Sequence, residues 1–157
     1  MIELRSISDI EQLMAWRAEV IRNVFGTEPT AELLQANRRY YSDHISDNSH
    51  LAIVATSNGR ECGCGALCLT DELPSPDNPS GRCAYLMNIY VRESFRNKGI
   101  AHHIVSHLIA EAQRRDCGKI YLETTAEGKP VYTSLGFRDM PDMMKYSETG
   151  RDLLLVK

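Results

Sequence analysis

Apolar positions along the chain change their period several times, and each change marks an element. Ile2 to Arg5 alternates apolar with polar, a short first strand. From Ile10, residues Leu13, Met14, Arg17, Val20, Ile21 and Val24 recur at helical spacing through about Phe25. Ser8 and Asp9 precede that helix as caps, with Glu11 in its first turn. Gly26 and Pro29 interrupt the pattern. Thr30 opens a second helix, with Leu33, Leu34, Asn37, Tyr40 and Tyr41 spaced for one face. His50 to Thr56 reads as a strand, Asn58-Gly59 as a two-residue hairpin turn, and Glu61 to Thr70 as the returning strand. Gly63 and Gly65 inside it predict a bulge or a close approach. Asp71 to Arg82 carries three prolines and reads as a surface loop.

The longest ordered pattern follows. Tyr85 to Val91 is a near-continuous apolar run, the signature of a buried strand. A polar turn from Arg92 to Lys98 leads to Gly99. Ile100, Ala101, Ile104, Val105, Leu108, Ile109 and Ala112 then take helical spacing. Cys117-Gly118 ends that helix, Lys119 to Thr124 reads as a strand, and Thr125 to Gly136 as a short helix closed by Gly136. Phe137 onward is expected to be a strand, interrupted at Met140-Pro141-Asp142 and resumed at Met143 to Tyr146. Asp152 to Val156 is expected to be the last strand. The order β-α-α-β-β-β-α-β-α-β-β predicts an α/β (mixed α+β) fold. Its centre is a mixed, largely antiparallel sheet of 6–7 strands with helices on both faces. A right-handed β-α-β crossover joins Tyr85 to Thr124.

Composition narrows the function classes. The 157 residues suit one domain, 1–157. A formal net charge of −3 argues against general nucleic-acid affinity. The start MIELRS has no basic-then-apolar leader, and no apolar run approaches the ~20 residues that span a bilayer. A cytoplasmic protein without membrane partners is the expectation. Five cysteines, an odd number, do not make a complete disulfide framework. Cys62, Cys64 and Cys68 have a metal-like spacing. However, the CxC parity of one strand face and the lack of a nearby histidine favour packed or free thiols. His103 and His107 are spaced i, i+4 but fall opposite the buried stripe of Ile104, Val105 and Leu108, so no metal is expected.

Strand, basic turn and helix start form a shape suited to an anion. Unpaired N–H groups and the helix dipole point outward there, and Arg96 and Lys98 add two charges. The chain lacks GxxxxGK[ST] and GxGxxG, so neither a nucleotide P-loop nor a dinucleotide fingerprint is present. Arg96-Asn97-Lys98-Gly99-Ile100-Ala101 matches the pattern Arg/Gln-x-x-Gly-x-Gly/Ala. Val131-Tyr132-Thr133-Ser134-Leu135-Gly136-Phe137 matches Leu-Tyr-x-x-x-Gly-Phe, with Val for Leu. With the preceding strand Asn88-Ile89-Tyr90-Val91, the chain resembles the GCN5-related N-acetyltransferase (GNAT) superfamily from about Tyr85 to Phe137.

The resemblance implies a set of roles. Main-chain N–H groups from Arg96, Asn97, Lys98, Gly99, Ile100 and Ala101 would bind the pyrophosphate of acetyl-CoA, the co-substrate. Backbone groups of Ile89, Tyr90 and Val91 would pair with the pantetheine arm like an added strand. An N–H of Ile89 or Tyr90 would hold the oxyanion of the tetrahedral intermediate. Tyr132 would serve the departing CoA sulfur as catalytic acid. Full proton transfer from a tyrosine to a thiolate is uphill by about 2 kcal/mol, so a hydrogen bond to the leaving thiolate is the better description. Where many family members carry an asparagine for the pantetheine, this chain has Thr125, with shorter reach.

The implied reaction is direct attack of an amine on the thioester in a ternary complex, with the amine borne by a small molecule or peptide. Alternatives are a catalytically silent CoA-binding module, or transfer from a longer acyl-CoA. A lysine-like amine is only about one part in 2,500 neutral at pH 7, so a base is required. Glu123, Tyr85, Glu72 and Asp71 are the candidates. Asn88, polar in an apolar strand, either pins a bulge or faces substrate. His102 lies near the predicted phosphates. The acceptor is expected to be set by residues 25–47 and 71–82, where Arg38, Arg39, Tyr40 and Asp43 suggest a polar molecule. The apolar run Leu153 to Val156 suits a homodimer surface as easily as the core.

Overall fold

At Asn58-Gly59 both residues take positive φ, 51° and 77°. This twist matches that of the flanking strands and closes a tight hairpin. The computed structural model describes residues 1–148. The hairpin joins β2 (His50–Ser57) to β3 (Arg60–Asp71) at the middle of a five-stranded sheet of order β1-β2-β3-β4-β5. β1 is Ile2–Ile7, β4 is Arg82–Val91 and β5 is Lys119–Leu122. Neighbours are antiparallel from β1 to β4, and β4 and β5 are parallel.

Helices cover both faces. α1 (Ile10–Val20) is capped by the Asp9 carboxylate, which accepts from Gln12 N. It continues as a single π-helical turn, Ile21–Phe25, and stops at Gly26 with φ 71°. α2 (Ala31–Ser46) starts at Thr30, whose hydroxyl accepts from Leu33 N. Both helices pack on one face, with Leu13, Met14, Trp16, Val20 and Tyr41 against Val54, Cys64, Ala66 and Tyr90. α3 (Ile100–Arg114) covers the other face, with Ile104, Val105, Leu108 and Ala112 fully buried against Ala55, Leu67, Ala84 and Leu86. The short α4 (Lys129–Ser134) follows β5 and leans on the same core through Tyr132 and Leu135.

Three expectations are corrected. The sheet has five strands among the described residues rather than 6–7. No strand forms between Phe137 and Tyr146. Pro141 cannot donate to a ladder, and the apolar side chains after it find no face to bury: Met144 is 98% and Tyr146 84% exposed. The last predicted strand, Asp152 to Val156, and with it the apolar run suited to a dimer surface or the core, lies outside the described residues. The CxC parity also fails. Thr56 pairs with Glu61 and Ala55 with Gly63, so Cys62 is the extra residue of a bulge. Cys62 therefore joins the α3 core and Cys64 the α1/α2 core. All five cysteines are free thiols.

At Gly65 the side chains of α3 press directly on the sheet backbone. A Cβ there would stand 2.6 Å from Ile104 Cγ2 and 2.9 Å from Ile89 Cδ1. Gly65→Ala is expected to destabilise the fold by about 1–3 kcal/mol, the range for overpacking a filled core. Urea unfolding of the two proteins measures it; an unchanged midpoint would show that α3 is free to move away.

Candidate functional site

β4 and β5 are paired only from Cys83↔Lys119 to Leu86↔Leu122. β5 then stops, and β4 runs on to Val91. Residues 87–91 keep β3 on one edge and have no strand on the other among the described residues. Apart from Val91 O, which accepts from Arg96 Nε, the backbone groups along that edge have no ladder partner among the described residues and can pair with an extended ligand. Asn88 sits in the left-handed region at φ 58°. Cys64 pairs with Tyr90 and Ala66 with Met87, so Asn88 and Ile89 together face Gly65 across a bulge. The bulge reverses the side-chain parity. Tyr90 turns onto the α1/α2 face, 6.4 Å from Trp16, while Ile89 and Val91 pack on the α3 side.

Beyond β4 a turn of 3₁₀ helix, Glu93–Phe95, drops the chain toward α3. Asn97 at φ 61° and Gly99 at φ 79° aim the backbone into the helix. No side chain caps α3, so the N–H groups of Ile100, Ala101 and His102 are left without helical acceptors. A Cβ at Gly99 would meet nothing within 4 Å, so its left-handed φ is what requires glycine. Ile100 is buried, so only its backbone is offered to a ligand. Arg96 donates through Nε to Val91 O, which ties the loop to the end of β4. Lys98 lies over the Phe95 ring at 5.6 Å. His102 is exposed.

Tyr132 on α4 packs edge-on to Phe137 at 5.9 Å. Its hydroxyl has no hydrogen-bond partner among the described residues and is not buried, so a ligand can reach it. Burial of the ring pushes the phenol above its ordinary pKa, which keeps it protonated as a donor. Thr125 has a local duty. Its Oγ1 accepts from Gly128 N and its carbonyl from Lys129 N, which sets the entry to α4.

The base candidates separate by position. Asp71 pairs with Arg82 at the far end of β4, and Glu72 is held 2.9 Å from Lys119 Nζ. Neither is near the splayed edge. Glu123 directly follows β5, at the point where the strands part. Burial and the neighbouring Glu123 carboxylate raise the Tyr85 phenol to about 12. Tyr85 stacks obliquely with Tyr121, ring centroids 5.1 Å apart. Of the α2 residues, Arg38 bonds Glu11 on the outer surface, where Arg39 and Asp43 also lie, while Tyr40 turns inward. Among the described residues no group of three or more His, Cys, Asp or Glu is placed to hold a metal. His103 Nδ1 lies 2.9 Å from Gly99 O, and His107 faces Glu111.

The sequence reading placed Arg17 only as a position on the inner face of the first helix. The structure brings its guanidinium to the bulge, donating from Nη1 to Asn88 Oδ1 at 2.8 Å and from Nε to Asn37 Oδ1 at 3.1 Å. An arginine at an apolar helical position was the signal.

The sequence model of the acetyltransferase (GNAT) family matches residues 10–137. The chain belongs to the GNAT acetyltransferase family. Among solved GNAT-like structures, a predicted acetyltransferase with acetyl-CoA from Clostridium acetobutylicum is 27% identical with a TM-score of 0.85, over 96% of this chain and 99% of that one. A GCN5-related N-acetyltransferase from Ralstonia eutropha JMP134 is 25% identical with a TM-score of 0.76, over 94% and 99%. N-alpha-acetyltransferase 30 of Xenopus laevis is 29% identical over 122 residues, 76% of this chain. The chain spans 42% of the length of that relative. No described helix is long and apolar enough to cross a membrane.

One buried group beside the site reports on pH. His50 is 3% exposed, and its Nδ1 lies 2.9 Å from the Tyr40 hydroxyl. Burial, with His44 and Arg17 nearby, lowers its pKa from 6.5 to about 4. The unfolded chain therefore binds a proton that the folded chain refuses. Stability is full above about pH 6.5 and falls by about 3 kcal/mol as pH drops toward 4. The carboxylates of Glu19 and Asp47 are held below their usual values and act lower still. Urea midpoints at about pH 7.5 and about pH 5 should differ for the wild type and converge for His50→Gln. Equal wild-type midpoints would show that His50 titrates normally.

Proposed function

We propose that the protein is an acetyl-CoA-dependent N-acetyltransferase that acetylates an amine of a small molecule or peptide by direct attack in a ternary complex. The observation that carries this reading is the open β4 edge leading in the chain to the uncapped start of α3, together with a Tyr132 hydroxyl that has no partner among the described residues. The acetyl-CoA in the Clostridium relative supports the choice of donor.

In this reading the pyrophosphate lies on the backbone of residues 96–101 and the pantetheine along residues 89–91. Gly99 and Asn97 turn the N–H groups toward the phosphates, and Arg96 and Lys98 add charge. Thr125 is spent on the α4 turn and contributes at most its hydroxyl proton to the pantetheine. The amine nitrogen attacks the thioester carbon. Negative charge gathers on the carbonyl oxygen, and an N–H of Ile89 or Tyr90 at the bulge meets it. The C–S bond then breaks, and Tyr132 donates a hydrogen bond to the leaving thiolate. Glu123 with Tyr85, at the mouth where β5 ends, accepts the amine proton directly or through water.

Tyr132→Phe keeps the ring packing and removes the donor. It is expected to lower kcat for CoA release by about 10²-fold across an amine panel while acetyl-CoA still binds. Undiminished kcat would remove Tyr132 from the mechanism. Tight acetyl-CoA binding by the wild type with no acetylated product from any amine would instead mark a silent CoA-binding module.

A further inference from the structure

Among the described residues, Arg17 has no carboxylate as counterion. Its side chain lies between α1, α2 and the β4 bulge, under the half-exposed Phe25 ring at 5.7 Å. Its hydrogen bonds go to the neutral amides of Asn37 and Asn88. Asn37 is itself anchored, donating to Leu33 O at 2.6 Å. The carboxylates of the neighbourhood are committed elsewhere. Glu19 forks onto Arg92, Glu28 onto Arg22, Glu11 onto Arg38 and Glu61 onto Arg5. Among the described residues no carboxylate reaches Arg17. The groups that feel its charge are Tyr41, His50, Cys64 and Cys68, all uncharged at neutral pH.

A guanidinium presents five N–H donors. Here one of Nε and one of Nη1 are used, leaving Nη2 and the second N–H of Nη1. Among the described residues Nη2 has no partner and no buried side-chain nitrogen lacks one, so Nη2 is open to solvent rather than sealed in the core. Two anchored amides therefore fix the plane of the fork and leave one edge open, beside the residue that forms the bulge. Held in this way, an arginine is pre-organised to take two oxygens of one planar anion. The opposite flank of the same sheet face carries Glu123 and Tyr85, so the open face has a cationic and an anionic side.

We propose that the acceptor amine carries a carboxylate of its own, and that Arg17 binds that carboxylate and so selects free amino acids or similarly compact amino acids over uncharged amines. This rests on the N-acetyltransferase reading and names its substrate class. One guanidinium balances one carboxylate. The ammonium end of such a molecule would lie toward Glu123, and the nitrogen between them would lie by the bulge, where the thioester is placed. A phosphate-bearing amine offers the same oxygens with more charge than Arg17 alone neutralises.

The test is selectivity within matched pairs. Initial rates of CoA release and of N-acetyl product are compared for glycine and glycinamide, β-alanine and β-alaninamide, an aminoalkyl phosphonate, and a longer peptide with an amidated end. The amide members have the less basic amines, so intrinsic reactivity favours them. The wild type is expected to prefer each acid by roughly tenfold or more in kcat/KM, through KM. Arg17→Gln should bring the acid-to-amide ratio toward one, and Arg17→Lys should restore part of it. The ratio is internal to each enzyme, so partial loss of folded protein cancels, and the wild-type ratio stands even if a variant fails to fold.

Equal rates for acid and amide in the wild type would overturn the proposal, as would a better rate with the amidated peptide. A loss in Arg17→Gln that falls equally on both members, in kcat, would assign Arg17 to holding the bulge and also overturn it. Preference for the phosphonate would replace the carboxylate by phosphate. Failure of the wild type to acetylate any amine would sink the transferase reading itself, a result distinct from all of these.

Discussion

β4 is longer than the strand it pairs with. On one edge it is bonded to β3 to its end, while on the other β5 leaves it after Leu86. The remaining backbone groups on that edge need partners, and among the described residues the chain supplies one only to Val91 O, from Arg96 Nε. This unequal pairing sets the rest of the arrangement. It opens the sheet where the chain turns into α3, so the uncapped N–H groups of that helix and the free edge of β4 lie along one course. It also leaves Glu123, the residue after β5, at the mouth of the opening.

The bulge at Asn88 determines which side chains face that opening. Without it, Ile89 rather than Tyr90 would turn toward α1, and the Trp16–Tyr90 contact would be lost. Asparagine enters the left-handed region more readily than other residues with a side chain, yet φ 58° still carries a cost. The hydrogen bond from Arg17 and the packing of Tyr90 offset that cost. On the opposite face, Gly65 lets Ile104 approach the bulge directly. A left-handed residue, a glycine and a buried helix stripe thus act together to keep one strand bent at the place where the thioester is proposed to lie.

Much of this was legible in the sequence because it rests on local rules. Asn58-Gly59 forms its turn, Thr30 and Asp9 cap their helices, and the apolar stripe from Ile100 to Ala112 buries as its spacing requires. The motif around Gly99 and the position of Tyr132 follow from short patterns whose geometry is fixed within a few residues. Parity across a bulge was not legible, since one extra residue inverts every side chain after it; hence the error at Cys62 and Cys64. The region from Phe137 to Tyr146 misled for a different reason. Its methionines and tyrosine read as a strand, but no neighbouring edge receives them. Arg17 was hidden because its meaning depends on residues of three separate elements that only the fold brings together. The pairing of Arg38 with Glu11 on the surface was hidden for the same reason, since it joins two separate helices.

The central claim is that acetyl-CoA pairs with the free edge of β4 and with the start of α3. Amide hydrogen exchange, followed residue by residue with and without acetyl-CoA, addresses it directly. The account predicts new protection at residues 89–91 and at residues 97–101 together, with little change along β1 and β2. Acetyl-CoA binding that leaves both segments exchanging as before, or that protects other strands instead, would contradict it.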